Sequence, residues 1–252
     1  SIKSFDANEN QKAVWQLKTK PEGMFLNEEN TIIWKANTLD HNTYIINVTD
    51  EIDEDIFYGE IYVNDPPKIT STPPKQTQPN NVFEYIIKTQ DKNKENPSNS
   101  KEKNKLYYEI KEAPSEMEIN NNTLQWTPKN KDIGEHNITI KVSDTITDTT
   151  QTFTLYVNDA PKIISTDTLN INLGDTLKHF ITAKDKNSTK ELTFSIRTGI
   201  NNMMLNAKTG ELTWTPTAQD LGLHFLEVSV SDGFDLGEDA QTIKIFVHGK
   251  PK

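Results

Sequence analysis

The stretch GELTWTPTAQDLGLHFLEVSVSDG, Gly210 to Gly233, decides how this chain is read. It opens on a turn glycine, runs through a short segment ending on Trp214, loops at Pro216, and then alternates apolar and polar residues as far as Ser231. A period of two over that length is the pattern of a half-buried β-strand. The same phrase occurs earlier as NTLQWTPKNKDIGEHNITIKVSDT, Asn122 to Thr145, and in a worn form as NTIIWKANTLDHNTYIINVTDE, Asn30 to Glu51.

Other landmarks recur in step. Trp34, Trp126 and Trp214 are 92 and 88 residues apart, and Asp50, Asp144 and Asp232 are 94 and 88 apart. VNDPPKI (Val63–Ile69), VNDAPKI (Val157–Ile163) and VHGKPK (Val247–Lys252) follow. Met24, Met117 and Met203 each stand three residues before an asparagine. Solenoid repeats run roughly 20 to 50 residues. A period of about 90 instead suits one independent β-sandwich per repeat.

The expected fold is all-β: tandem Ig-like or cadherin-like sandwiches forming an elongated rod, with no segment of sustained helical periodicity. The expected modules are an incomplete one over 1–65, a second over 66–159, a third over 160–249, and the start of a further linker at 250–252. Proline at Pro66, Pro67 and Pro161 fixes φ and withholds a donor, which ends a strand and stiffens the passage to the next module. Ile2 onward aligns with Ile181 onward, placing Asp6 on Asp185 and Trp15 on Phe194. On that alignment the chain begins inside a module and reads as a fragment of a longer tandem protein. The first module would then expose a sheet edge, open to self-association or to a donated strand.

Composition narrows the function classes. The formal charge is −10 with no basic tract, which excludes a phosphate-binding footprint and so nucleic acid as a partner. There is no cysteine for disulfides or thiol chemistry, and no apolar run long enough to insert in a membrane. A single arginine among abundant lysine, asparagine and isoleucine points to a bacterial source. No G-x-S-x-G elbow and no phosphate-binding glycine loop is present, and the acidic positions repeat with the module, whereas a catalytic site is unique. His136 and His224 match in separate modules and read as structural. The three tryptophans read as core anchors, and Asp50 to Asp55 as a solvated hairpin tip. Asp91 to Lys105, DKNKENPSNSKEKNK, reads as a mobile, functionally neutral surface insertion.

Taken together, P-K-I, A-K-D-x-N, L-T-F-S-I, G-E-L-T-W-T-P-T, D-L-G-x-H and V-S-V-S-D-G resemble the cadherin-like, immunoglobulin-like modules of dystroglycan type that recur in bacterial surface proteins. The resemblance implies calcium at the module junctions. Asn64, Asp65, Asp91, Asn93 and Asp144 would supply the first junction, and Asn158, Asp159, Asp185, Asn187 and Asp232 the second. Hard cations take six to eight oxygens, so such clusters are chemically suited. Two carboxylates of the cadherin pattern are missing, however, one near Tyr156 and one at Asn37, Lys131 and Gln219. A second reading therefore stays open, in which Asp144 and Asp232 end strands and open turns.

The function expected is non-enzymatic: a stalk, adhesion or protein-interaction segment of a larger bacterial cell-surface or secreted protein, periplasmic location included. The alternative is an accessory, glycan-contacting or spacer module of a secreted enzyme. The partner would be a protein or a glycan at the cell surface.

Overall fold

The computed structural model describes residues 13–50, 52–187 and 191–249. Asp6, Glu51, Ser188 to Lys190 and Lys250 to Lys252 lie outside the described residues, and with them the expectations placed there. Among the described residues every regular element is a strand except two single-turn 3-10 helices, Asn130–Asp132 and Ala218–Asp220. Packing divides the chain into two compact units: Ser1–Ser71, Ile86–Lys111 and Thr139–Gln151, and Thr72–Tyr85, Glu112–Ile138 and Thr152–Lys252.

Residues 162–248 of the second unit form a sandwich. One sheet is ordered Thr168–Asn172, Glu238–His248, Gly222–Ser231, Thr193–Thr198, and the other Leu177–Phe180, Glu211–Trp214, Met204–Leu205. The alternation read in the sequence sets the inner face: Leu226, Val228 and Val230 are fully buried, whereas Phe225 is 55% exposed. They meet Ile243, Ile245, Leu212 and Trp214 in one core. Each fully buried aliphatic side chain contributes roughly 1.5–3 kcal/mol over its exposed state. Thr168–Asn172 runs parallel to Lys244–His248 and covers the outer edge of the last strand. The same unit holds a second parallel edge pairing, Gln76–Thr77 against Tyr156–Val157.

In the first unit, Asp40–Thr49 and Glu54–Val63 form a long hairpin flanked by Val14–Thr19, and Glu54–Val63 is an edge strand. Among the described residues it has no parallel partner. Ile56, Phe57 and Tyr58 on it are 47%, 42% and 72% exposed. Trp126 and Trp214 are core anchors, 3% and 2% exposed, but Trp34 is only half-buried, with its indole N–H donated to the Glu22 carbonyl.

One expectation is corrected outright. The lysine- and asparagine-rich insertion contains a hairpin, Glu95–Asn96 paired with Asn99–Lys103, that docks on the long hairpin of the first unit. Low hydrophobicity did not keep it unstructured, because the polar side chains of Asp40, His41 and Tyr62 hold its backbone by hydrogen bonds, which need no apolar side chain on the insertion.

Candidate functional site: the linker junctions

The residues that recur with the repeat gather where each long hairpin runs into the proline linker. In the second unit, Val157 leads to Asn158 and Asp159, and the chain around them is closed by hydrogen bonds of one polarity. The Asp159 N–H can only donate, so it turns the Asn187 side-chain oxygen toward itself at 3.1 Å. The Asn187 amide nitrogen then points the other way, donating to Asn158 Oδ1 at 2.6 Å and to the Tyr156 hydroxyl at 3.0 Å. That in turn directs the Asn158 amide nitrogen at Asp232 Oδ2, 2.9 Å away. The Asp232 Oδ1 accepts the Phe234 N–H, and the Lys186 ammonium pairs with Asp159 at 3.0 Å. Asn158 is fully buried and Asp232 is 2% exposed, so unpaired groups here would cost the full desolvation penalty. Asp232 folds back against Gly237, where a Cβ would collide with its carboxylate. The Phe234 ring stacks on Tyr156 at 4.6 Å.

The first unit repeats the plan at Asn64 and Asp65. The Asp65 N–H donates to Asn93 Oδ1 at 2.6 Å, Lys92 lies 3.4 Å from Asp65, and Asn64 donates to Asp144 Oδ2 and Thr147 Oγ1, each at 2.8 Å. Burial works against the Asp144 carboxylate, but the Thr147 and Ile146 N–H groups and the Asn64 amide outweigh it and hold its pKa below the usual value. Asp91 and Asp185 are pushed the other way, first by burial and then by neighbouring carboxylates. Asn64 Oδ1 and Asn104 Oδ1 are buried here without a hydrogen-bond partner.

The insertion hairpin straps this junction. Asp40 stands where the other long hairpins open on Gly134 and Gly222, and like them it has a positive φ, 66° against 126° and 112°. A non-glycine residue is strained there. Its carboxylate offsets the cost by accepting Asn93 Nδ2 and the Lys94 and Glu95 N–H groups at 2.9 to 3.3 Å. His41 adds a bond from its ring to the Asn96 carbonyl at 3.0 Å and an ion pair with Glu60 at 2.6 Å. The Asn96 carbonyl, with Glu60, raises the His41 pKa against the opposing effect of burial. Tyr62 donates to the Glu95 carbonyl, and its phenol is pushed up to about 12, by burial first and then by the surrounding carboxylates.

All ten expected ligands thus sit at the two junctions, though not as one ligand shell at each. Asp91 and Asp185 accept the N–H groups of Asn93 and Asn187 and stand beside the chains rather than in them. Among the described residues no three carboxylates or imidazoles converge to hold a metal ion. At the second junction the donor set does not fit calcium as arranged, since amide hydrogens rather than lone pairs face Asp232. Sequence reasoning missed Lys92, Lys186, Asp40, Thr147 and Asn104. The lysines were legible in the repeated D-K-N at Asp91 and Asp185. Asp40 and Asn104 had no signal, because only the fold brings them to the site.

Residues 66–158 match the family described as "Putative Ig domain", so this part of the chain is immunoglobulin-like. No curated protein matches the chain. Several solved structures are similar in fold. Titin domains I67–I69, in an E-to-A mutated variant, share 14% identity over 97% of this chain and 89% of theirs, with a TM-score of 0.48. Drosophila N-cadherin EC1-3 shares 12% over 96% of this chain and 91% of its own, with a TM-score of 0.33. An endo-fucoidan hydrolase of glycoside hydrolase family 107 shares 15% over 95% of this chain but only 39% of its own, with a TM-score of 0.32. The chain therefore spans about two fifths of that hydrolase's length.

Proposed function

We propose that this chain is a non-enzymatic stalk segment of a larger bacterial cell-surface or secreted protein, holding the domains at its ends at a set separation. The observation that supports it is the repetition of one linker lock, Asn64–Asp144 and Asn158–Asp232, which fastens the chain leaving each long hairpin onto the loops that follow. A spacer needs its linkers fixed, and buried polar networks of this kind specify a single geometry. Among the described residues no helix is long and apolar enough to cross a membrane.

One observation favours a second reading, a glycan-contacting accessory module. Tyr58, 72% exposed, lines a groove of about 450 Å³ with Thr19, Thr43, Tyr44, Gly59 and Glu60. An exposed aromatic ring beside hydroxyl and carboxylate groups suits the faces and hydroxyls of sugars. A polysaccharide panel separates the two. The stalk reading expects no saturable binding to any member. Saturable binding that disappears in Tyr58→Ala would replace it with the accessory module.

A further inference from the structure

We infer that the second junction is a cation-independent latch, in which the Asn158 and Asn187 amides and the Lys186 ammonium take the positions that a divalent ion would otherwise fill. This deepens the reading of Asn158–Asp232 as a linker lock and does not depend on what the stalk carries.

Three features carry the inference. The hydrogen-bond chain from the Asp159 N–H through Asn187 and Asn158 to Asp232 is complete, each donor meeting an acceptor at 3.1 Å or less. Its direction is imposed by groups that have no choice: a backbone N–H only donates and an ionised carboxylate only accepts. A calcium ion between Asn158 and Asp232 would have to turn the Asn158 oxygen toward the carboxylate. That reversal would leave its amide hydrogens facing those of Asn187 in a fully buried position. The second feature is charge. Asp159, the linker carboxylate nearest to such an ion, is already paired with Lys186 at 3.0 Å. The third is that Asp185 Oδ1 already accepts the Asn187 N–H. An ion would have to displace these partners before it could gather the six to eight oxygens that calcium takes.

Hydrogen exchange of the whole chain, read by mass spectrometry on peptides containing Asp159 and Phe234, tests this in EDTA and in millimolar calcium. The latch gives equal protection in both, within about twofold. Protection that rises about tenfold or more with calcium, and not with magnesium, overturns it. Asn158→Asp replaces the amide donor by a carboxylate beside Asp232. It should speed exchange at Phe234 by about tenfold or more in EDTA, since a charge-assisted hydrogen bond is lost and a like-charge pair created. Unchanged exchange in this variant also overturns the latch. Should Asn158→Asp not fold, Lys186→Met touches only a 60%-exposed side chain. It should speed exchange at Asp159 by about twofold to threefold, and no change there counts against the ammonium's part. Because these readouts are local to one junction, they stand or fall separately from the polysaccharide panel.

Discussion

Trp214 and His224 show how much a single pair can settle. The imidazole stands edge-on to the indole at 5.6 Å and meets the Asp220 carbonyl at 2.7 Å, so the ring closes the 3-10 turn and caps the core at once. Trp126 and His136 repeat the arrangement at 5.0 Å and 2.6 Å. At the first repeat there is no such histidine, since His41 is engaged with Tyr62, and Trp34 is only half-buried. The three tryptophans should therefore not cost the same to remove. Trp214→Ala should lose about 3–5 kcal/mol, as a fully buried aromatic does, and Trp34→Ala clearly less, about 1–2 kcal/mol. Urea denaturation of the two variants measures the difference, and equal losses would contradict the partial burial of Trp34.

At the scale of elements, the hairpin of Glu95–Asn96 and Asn99–Lys103 carries a pH dependence. His41 faces the Asn96 carbonyl, Glu60 and Glu95, and its pKa is raised in the fold. A group raised in this way contributes stability that is fully present below its unfolded pKa, near 6.5, and lost as pH rises through the folded value. Hydrogen exchange across residues 95–103 should therefore speed up between mildly acidic and alkaline pH by more than the intrinsic rate. His41→Gln should remove that excess. An excess that persists in His41→Gln would place the titration elsewhere. The composition of the insertion predicted a loose loop because low hydrophobicity is a statement about side chains. The strap is made largely of backbone carbonyls and N–H groups, which composition does not register.

For the whole molecule, the uncovered edge of Glu54–Val63 matters most. The other two long hairpins have a parallel strand on the corresponding edge, and this one has none among the described residues. An unpaired edge bearing exposed Ile56 and Tyr58 is a template for another strand. Sedimentation velocity should show association of this chain that grows with concentration, and Tyr58→Lys should suppress it, since a charge on an edge is how proteins block such pairing. A sharp monomer at all concentrations would set the edge aside as a contact.

The sequence by itself determined the repeat, its period, the all-β class and the inward faces of Gly134–Ser143 and Gly222–Ser231. Each of these is written locally, in periodicity and in the spacing of like residues. That Asn158, Asp159, Asn187 and Asp232 meet was implied only by the resemblance to cadherin-like modules. Only the tertiary structure decided which groups those residues face. A carboxylate is equally ready to bind an ion or to accept an amide hydrogen. At Asp232 the carboxylate meets the Asn158 amide, oriented by Asn187, which is oriented in turn by the backbone N–H of Asp159. Such a chain of directed bonds joins loops about 30 and 74 residues apart in sequence and exists only once the sheets have brought them together.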